Sequence, residues 1–469
     1  MTFVRSFSWT LRVLSGFILF SGSVLAQDLP SKNSEAVSEA SARLSKESRG
    51  IPPEELPKVK QQFLLFAKYY GDLISNPTFY KNSIDPKLGS APTRTIPIMD
   101  RSNTIPSVLS DMDRFILEPN LNTKVNEEKI DYIREMGIAF DSVLKPLVES
   151  NSERIVRINA ARLLAEVCRS GAAAHWPTIT SLLNNANTAA EIKYYALQGA
   201  GNLLAAYKIQ EYKFRSHSNG AKEVGALAQA TTVCIENSGH LVPGFKQGES
   251  TKDQEAVVQF VRKQAIKALG QIRYASIPGP DGKQMMYPAY TLAQVCVSDP
   301  KLFPSPTPSE CGEAVLGICN MSTSVFNSPF KGYNPAGVAE AVAAGLVTFA
   351  TPRAEPGERT LAWRNYSYRL AEAFKNWRPL FDPVYDATQP GNFSAAAVPP
   401  IVNDLITRVQ TLILAPIDKV DINGKADPNS AVNIEGMKDF LNQLRNNPTR
   451  NPLLFTDRPE TVIYNPIKK

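Results

Sequence analysis

Histidine is scarce: His175, His217 and His240 are the only three in 469 residues, and no two lie within five positions of each other. A three-ligand zinc site would need distant loops to converge. No CxxC pair occurs, which excludes a zinc ribbon and a thioredoxin-like motif. HExxH, GxSxG and the Walker loop are also missing. No catalytic residue, cofactor-binding residue or metal ligand is therefore expected. No dense run of Lys or Arg occurs, basic residues being interleaved with acids, and the net charge is a modest +6. A nucleic-acid partner would need a basic patch and is not expected.

Long apolar runs are lacking as well. Val13 to Leu25 is the longest, 13 residues, against the ~20 that a spanning helix needs. Arg5 and Arg12 precede or open it, and the small residues Val24 and Ala26 stand at −3 and −1 of a cleavage before Gln27. Residues 1–26 read as a secretory signal peptide, with an uncleaved anchor as the alternative. No cysteine follows the run and no twin arginine precedes it, so neither a lipoprotein nor a twin-arginine route is indicated. The expected location is secreted or periplasmic, with no transmembrane segment after cleavage. The five cysteines are Cys168, Cys234, Cys296, Cys311 and Cys319. In an oxidising compartment an odd count leaves at least one thiol free or paired with another chain. Cys311 and Cys319 fall on one helix with Cα atoms ~12 Å apart, too far for a bridge. Cys296–Cys311, closing a proline-rich loop, is the candidate disulfide; five buried thiols are the alternative.

Residues 27–50, rich in Ser, Glu, Lys and Ala, read as a flexible lead-in. Residues 51–130 form a helical N-terminal extension. Helical spacing runs over 54–73 through Val59, Phe63, Leu64, Phe66, Ala67 and Tyr70, with further helices near 106–117 and 127–149 and a loop over 77–103. Prolines then thin out: of 35, only Pro177 and Pro243 fall within 151–273. Three segments there share one pattern. They are Val156, Arg157, Ala160, Leu164, Ala165, Val167; Ile192, Lys193, Ala196, Ala200, Gly201, Leu203; and Val261, Arg262, Ala265, Leu269, Gly270, Ile272. The offsets 0, +4, +8 and +11 return to one helical face, and small residues at +4 and +9 let a neighbouring helix come close. The basic residue at +1 lies off that face. Thr188 with Glu191, Thr251 with Gln254, and Thr307 with Glu310 have capping-box spacing; Pro308 and Pro335 stand where helices start.

"VRINAARLLAEV", "IKYYALQGAGNL" and "VRKQAIKALGQI" resemble the second helix of a HEAT repeat, with armadillo-like arrays as near relatives. Their starts lie 36 and 69 residues apart, close to one and two repeats. "WRNYSYRLAEAF" at 363–374 keeps part of the pattern. The resemblance implies an all-α chain with a HEAT-like α-solenoid over 131–378, inserts at 207–253 and 274–308, and an irregular C-terminal part at 379–469. That last part carries helices at 400–414 and 433–446 and an extended tail from Asn447, whose Leu453, Phe455, Ile463 and Tyr464 are too apolar for a plain linker. The resemblance also implies a surface that binds extended partners. Arg157, Lys193, Arg262, Arg364 and Tyr368 are the candidate binding surface.

Other motifs have plainer readings. Gly199-Ala200-Gly201 resembles half a dinucleotide loop but lies mid-helix without a third glycine, so it reads as helix packing. His175-Trp176-Pro177 suggests a sugar-stacking ring beside a base, against a helix-entry cap over the core. Asp421, Asn423 and Asp427 suggest a calcium loop, but Gly424 and Val432 fall at positions four and twelve, not glycine at six and glutamate at twelve. Trp363, Tyr366, Leu370, Phe374 and Trp377 form one stripe, which reads as core. The expected function is non-catalytic: protein interaction or scaffolding in the cell envelope, with another envelope or secreted protein as partner. The alternatives are a polysaccharide-acting α/α toroid using Tyr194, Tyr195, His217 or Tyr366, and a self-assembling envelope component.

Overall fold

The computed structural model describes residues 53–76, 129–214, 220–321, 334–351, 361–377, 400–409 and 429–447, with Val108, Leu109 and Met112. The signal peptide, the lead-in, His217, the Asp421–Asp427 turn and the apolar tail lie outside the described residues. What is described is all-α apart from one short hairpin. The helices are α1 (Leu56–Ser75), α2 (Lys129–Ser150), α3 (Arg154–Val167), α4 (His175–Asn184), α5 (Ala190–Phe214), α6 (Gly220–Glu236), the one-turn α7 (Ser238–Leu241), α8 (Lys252–Leu269), α9 (Pro288–Cys296), α10 (Pro308–Cys319), α11 (Pro335–Ala350), α12 (Leu361–Trp377), α13 (Pro400–Val409) and α14 (Asn429–Asn446). Strands β1 (Ile277–Pro278) and β2 (Met285–Met286) pair antiparallel before α9. Among the described residues no helix is long and apolar enough to cross a membrane.

Sequence signals account for the helix ends. Thr251 and Thr307 each accept from the backbone N–H three residues on, while Gln254 and Glu310 turn back to the cap N–H, so both capping boxes form. Each satisfies two donors that a helix start leaves open. Glu191 instead turns to α3 and accepts from Arg154 Nε at 2.6 Å. In α1, Val59, Phe63, Phe66 and Tyr70 recur at offsets of three and four and are all buried. Phe66 meets Phe140 of α2 edge to face at 5.7 Å.

Packing follows the chain in two rows. Helices α3, α5, α8, α10 and α12 touch in that order; α2, α4, α6, α9 and α11 do the same. Across the rows α2 lies on α3, α4 on α5, α6 on α8 and α9 on α10, with the core between. α1 packs on α2 and α3, and α13 and α14 pack on α11. The patterned segments are thus neighbours in one row, and their small residues set its spacing. A Cβ added at Gly270 would lie 2.8 Å from the Gly317 Cα, and one at Gly201 would lie 3.4 Å from the Ala268 Cα. Leu316, Gly317 and Cys319 of α10 stand at +8, +9 and +11 from Pro308, so α10 carries the same motif with Ser309 in place of the basic residue.

Two segments read as inserts belong to these rows. Within 207–253, α5 continues to Phe214 and α6 packs against α4, α5, α8 and α9. The pattern of α6 is blurred because Thr231 sits fully buried among its apolar residues, its hydroxyl donating to the Leu227 carbonyl at 2.8 Å. Within 274–308, the hairpin leads into α9, all nine of whose residues are buried. Its prolines start helices: Pro288 opens α9 and Pro308 opens α10, where the missing N–H costs nothing.

Candidate functional site

Three of the five candidate surface residues face inward or are held by neighbours. Arg262 has no exposed surface, and its Nε donates to Glu310 Oε1 at 2.7 Å, while the other Glu310 oxygen accepts from the Thr307 N–H. Among the described residues its Nη1 and Nη2 find no hydrogen-bond partner. Lys193 is equally buried and donates to the His240 carbonyl; burial lowers its pKa, with Cys234 opposing. Arg157 is half-buried and donates from Nε to the Val148 carbonyl at 3.0 Å, near the end of α2. The expectation that Lys193 and Arg262 line a surface is corrected: a +1 side chain is long enough to reach across to a carbonyl or acid on the next element. Arg364 lies on α12 with its side chain outside the described set. Tyr368 is 56% exposed and stays a surface candidate.

A different group of residues is brought together on the face of the α5–α8–α10–α12 row. Phe260 of α8, 52% exposed, stacks on Tyr194 of α5 with ring centroids 4.9 Å apart and planes 15° apart. Tyr195 meets Tyr194 edge-on at 5.2 Å. Val257, one helical turn before Phe260, is also exposed. Two of the tyrosines proposed for a toroid are therefore adjacent, and one has an aromatic partner the sequence did not reveal. Burial raises the Tyr194 pKa, with Tyr195 adding to it and Arg162 opposing.

One turn along α8 from Phe260, Lys263 lies over the Tyr366 ring of α12, its Nζ 5.1 Å from the centroid. The Tyr366 hydroxyl donates to Glu313 Oε1 of α10 at 2.7 Å. Arg369 grips the same carboxylate with both Nη groups, at 3.0 and 2.9 Å, and Lys267 lies 3.5 Å from it. Burial works against the charge of Glu313, yet Arg369, Lys267 and Tyr366 outweigh it and hold its pKa below the ordinary range. Burial and Lys267 lower the pKa of Lys263, against the pull of Glu313 and Glu310. Three cations, Lys263, Lys267 and Arg369, thus surround one carboxylate, and that carboxylate is almost wholly buried. The face carries a surplus of positive charge beside an aromatic stack whose outer ring, Phe260, is half exposed.

The remaining motifs are packing features. His175 and Trp176 are buried at the start of α4; His175 Nδ1 lies 3.4 Å from Asp141 Oδ1, and Thr178 donates to Asp141 Oδ2 at 3.1 Å. Gly199 faces Cys168 and Ala165, and Gly201 faces Ala268, so neither borders a ligand loop. Leu370 and Phe374 of the α12 stripe are buried, and Tyr366 joins them at the edge. All five cysteines are buried free thiols, the candidate pair Cys296 and Cys311 included. The Cys311 thiol donates to the Val295 carbonyl at 3.4 Å, and burial pushes its pKa up to about 12. Among the described residues no three metal-binding side chains converge. A cavity lined by Leu204, Tyr207, Val224 and Ile272 holds about 20 Å³, room for about one water.

Comparison with protein-family models, with curated proteins and with solved structures gives no match. The functional reading therefore rests on the residues themselves.

Proposed function

We propose that this chain is a non-catalytic scaffolding protein of the cell envelope, a HEAT-like α-solenoid that binds through the exposed face of its α5, α8 and α12 helices. The observation that carries the proposal is the half-exposed Phe260–Tyr194 stack beside a threefold cation cluster on one row of helices. An exposed ring beside a patch of one charge sign offers a partner both apolar contact and electrostatic attraction. The two-row packing supports the solenoid, because the main helix contacts among the described residues join helices within three places of one another in the chain. The signal-like residues 1–26 support the envelope. Scaffolding is favoured over turnover because the tyrosines are poor bases: Tyr366 donates its proton to Glu313, and Tyr194 holds its own more tightly than usual.

The test is site-specific photo-crosslinking in the native envelope. A photoreactive residue at position 260 is expected to give one dominant adduct in fixed ratio. The same group at Ile138 of α2, exposed on the other row, is expected to give none. Equal adducts from both positions, or none from 260, would remove this face from the function.

A further inference from the structure

We propose that the ligand of this face is an acidic polysaccharide, with a sugar ring against Phe260 and Tyr194 and carboxylates of neighbouring units on Lys263 and Lys267. The inference rests on the α5–α8–α12 face being the binding face.

The shape of the strip points to a sugar. Phe260 stacks on Tyr194 and is still half exposed, so its ring offers solvent a flat apolar surface that suits the C–H face of a pyranose. Charge fixes the sign of the ligand. Lys263, Lys267 and Arg369 stand against Glu313, which lies beneath them, while Glu310, which also acts on Lys263, is held by Arg262. The kinds of cation matter too. Arg369, whose planar fork suits a bidentate carboxylate, already spends both Nη groups on Glu313. Lys267 touches that carboxylate through one contact at 3.5 Å and Lys263 lies over a ring, so each keeps donors for a further carboxylate, which a lysine holds singly and in many orientations. Positions 260, 263 and 267 follow offsets of three and four along one stripe of α8. The strip therefore runs ring, charge, charge in one direction, which suits a polymer bearing one charge per unit.

Calorimetric titration of the full mature chain tests this with three probes: an oligogalacturonate of defined length, its methyl ester, and polyglutamate. The uronate is expected to bind, more weakly as salt is raised, and the ester to bind at least about tenfold more weakly. Phe260→Ala and Lys263→Gln are each expected to weaken uronate binding about tenfold, with thermal melts confirming that both variants fold. Polyglutamate binding as tightly as the uronate, and unmoved by Phe260→Ala, would overturn the polysaccharide and put a peptide in its place. Uronate failing to bind while position 260 still crosslinks would overturn the polysaccharide and leave the binding face standing. Failure of both would remove the face itself.

Discussion

Arg262 is withdrawn from water as completely as the leucines around it, yet it carries a full charge. Its partner Glu310 divides its two oxygens, one for the guanidinium and one for the cap of α10. Arg262→Met leaves that carboxylate buried with its charge uncompensated, a loss of about 3–5 kcal/mol. Adding Glu310→Gln, which can keep the cap, is expected to return more than half of it in denaturant unfolding. Glu313 gives a pH signature. Its folded pKa lies below its unfolded one, so it contributes stability near neutrality that is lost as the pH falls through the folded value. Glu313→Gln should therefore destabilise the chain near pH 7, and the gap between variant and parent should shrink as the pH falls below the ordinary carboxylate range. Burial raises the Cys234 and Cys311 thiols to about 12, so alkylation of the native chain near pH 8 is expected to be negligible. After unfolding without reductant, five reactive thiols are expected. Recovery of three, with Cys296 and Cys311 protected, would instead establish that disulfide.

At the scale of the helix, glycines separate packing from propensity. A methyl at Gly270 would meet the backbone of α10, so Gly270→Ala is expected to cost about 1–3 kcal/mol. Gly436, inside α14, has open space around its missing Cβ, and Gly436→Ala is expected to add about 0.5–1 kcal/mol. Paired melts of the two variants check both signs. The patterned helices α3 and α8 were legible in the sequence because one face is apolar and the others polar, which gives periodicity something to register; α5, apolar on most sides, was legible through the pattern it shares with them. The capping boxes before α8 and α10 were legible because they are local. Helix α9 was not: buried on every side, it shows no contrast between faces. Helix α6 was obscured by one buried threonine. The candidate site was mostly illegible for a related reason. Position +1 identifies a charged residue but not the acid that meets it, and Glu310 lies 48 positions beyond Arg262. Phe260 follows Val257 and Val258 and precedes the core residue Val261, and nothing in that apolar run marks it as exposed; only folding sets it on Tyr194.

For the whole molecule, order in the chain is order in space. The main helix contacts among the described residues join helices no more than three places apart in the chain. On the proposed solenoid, stability passes from pair to pair. Amide exchange of Gly270→Ala is therefore expected to lose protection most in α8 and α10, less in α5 and α11, and least in α1 and α2. A uniform loss over all helices would contradict nearest-neighbour coupling. The shared carboxylate of Glu310 bears on how such a chain can change over generations. A helix pair duplicated or deleted between α8 and α10 would leave Arg262 opposite a stranger and Glu310 with half its work undone. The array looks modular, but at this joint its units have an address. Insertions should be tolerated elsewhere along the rows first, and positions 262 and 310 should be inherited, or replaced, as a pair.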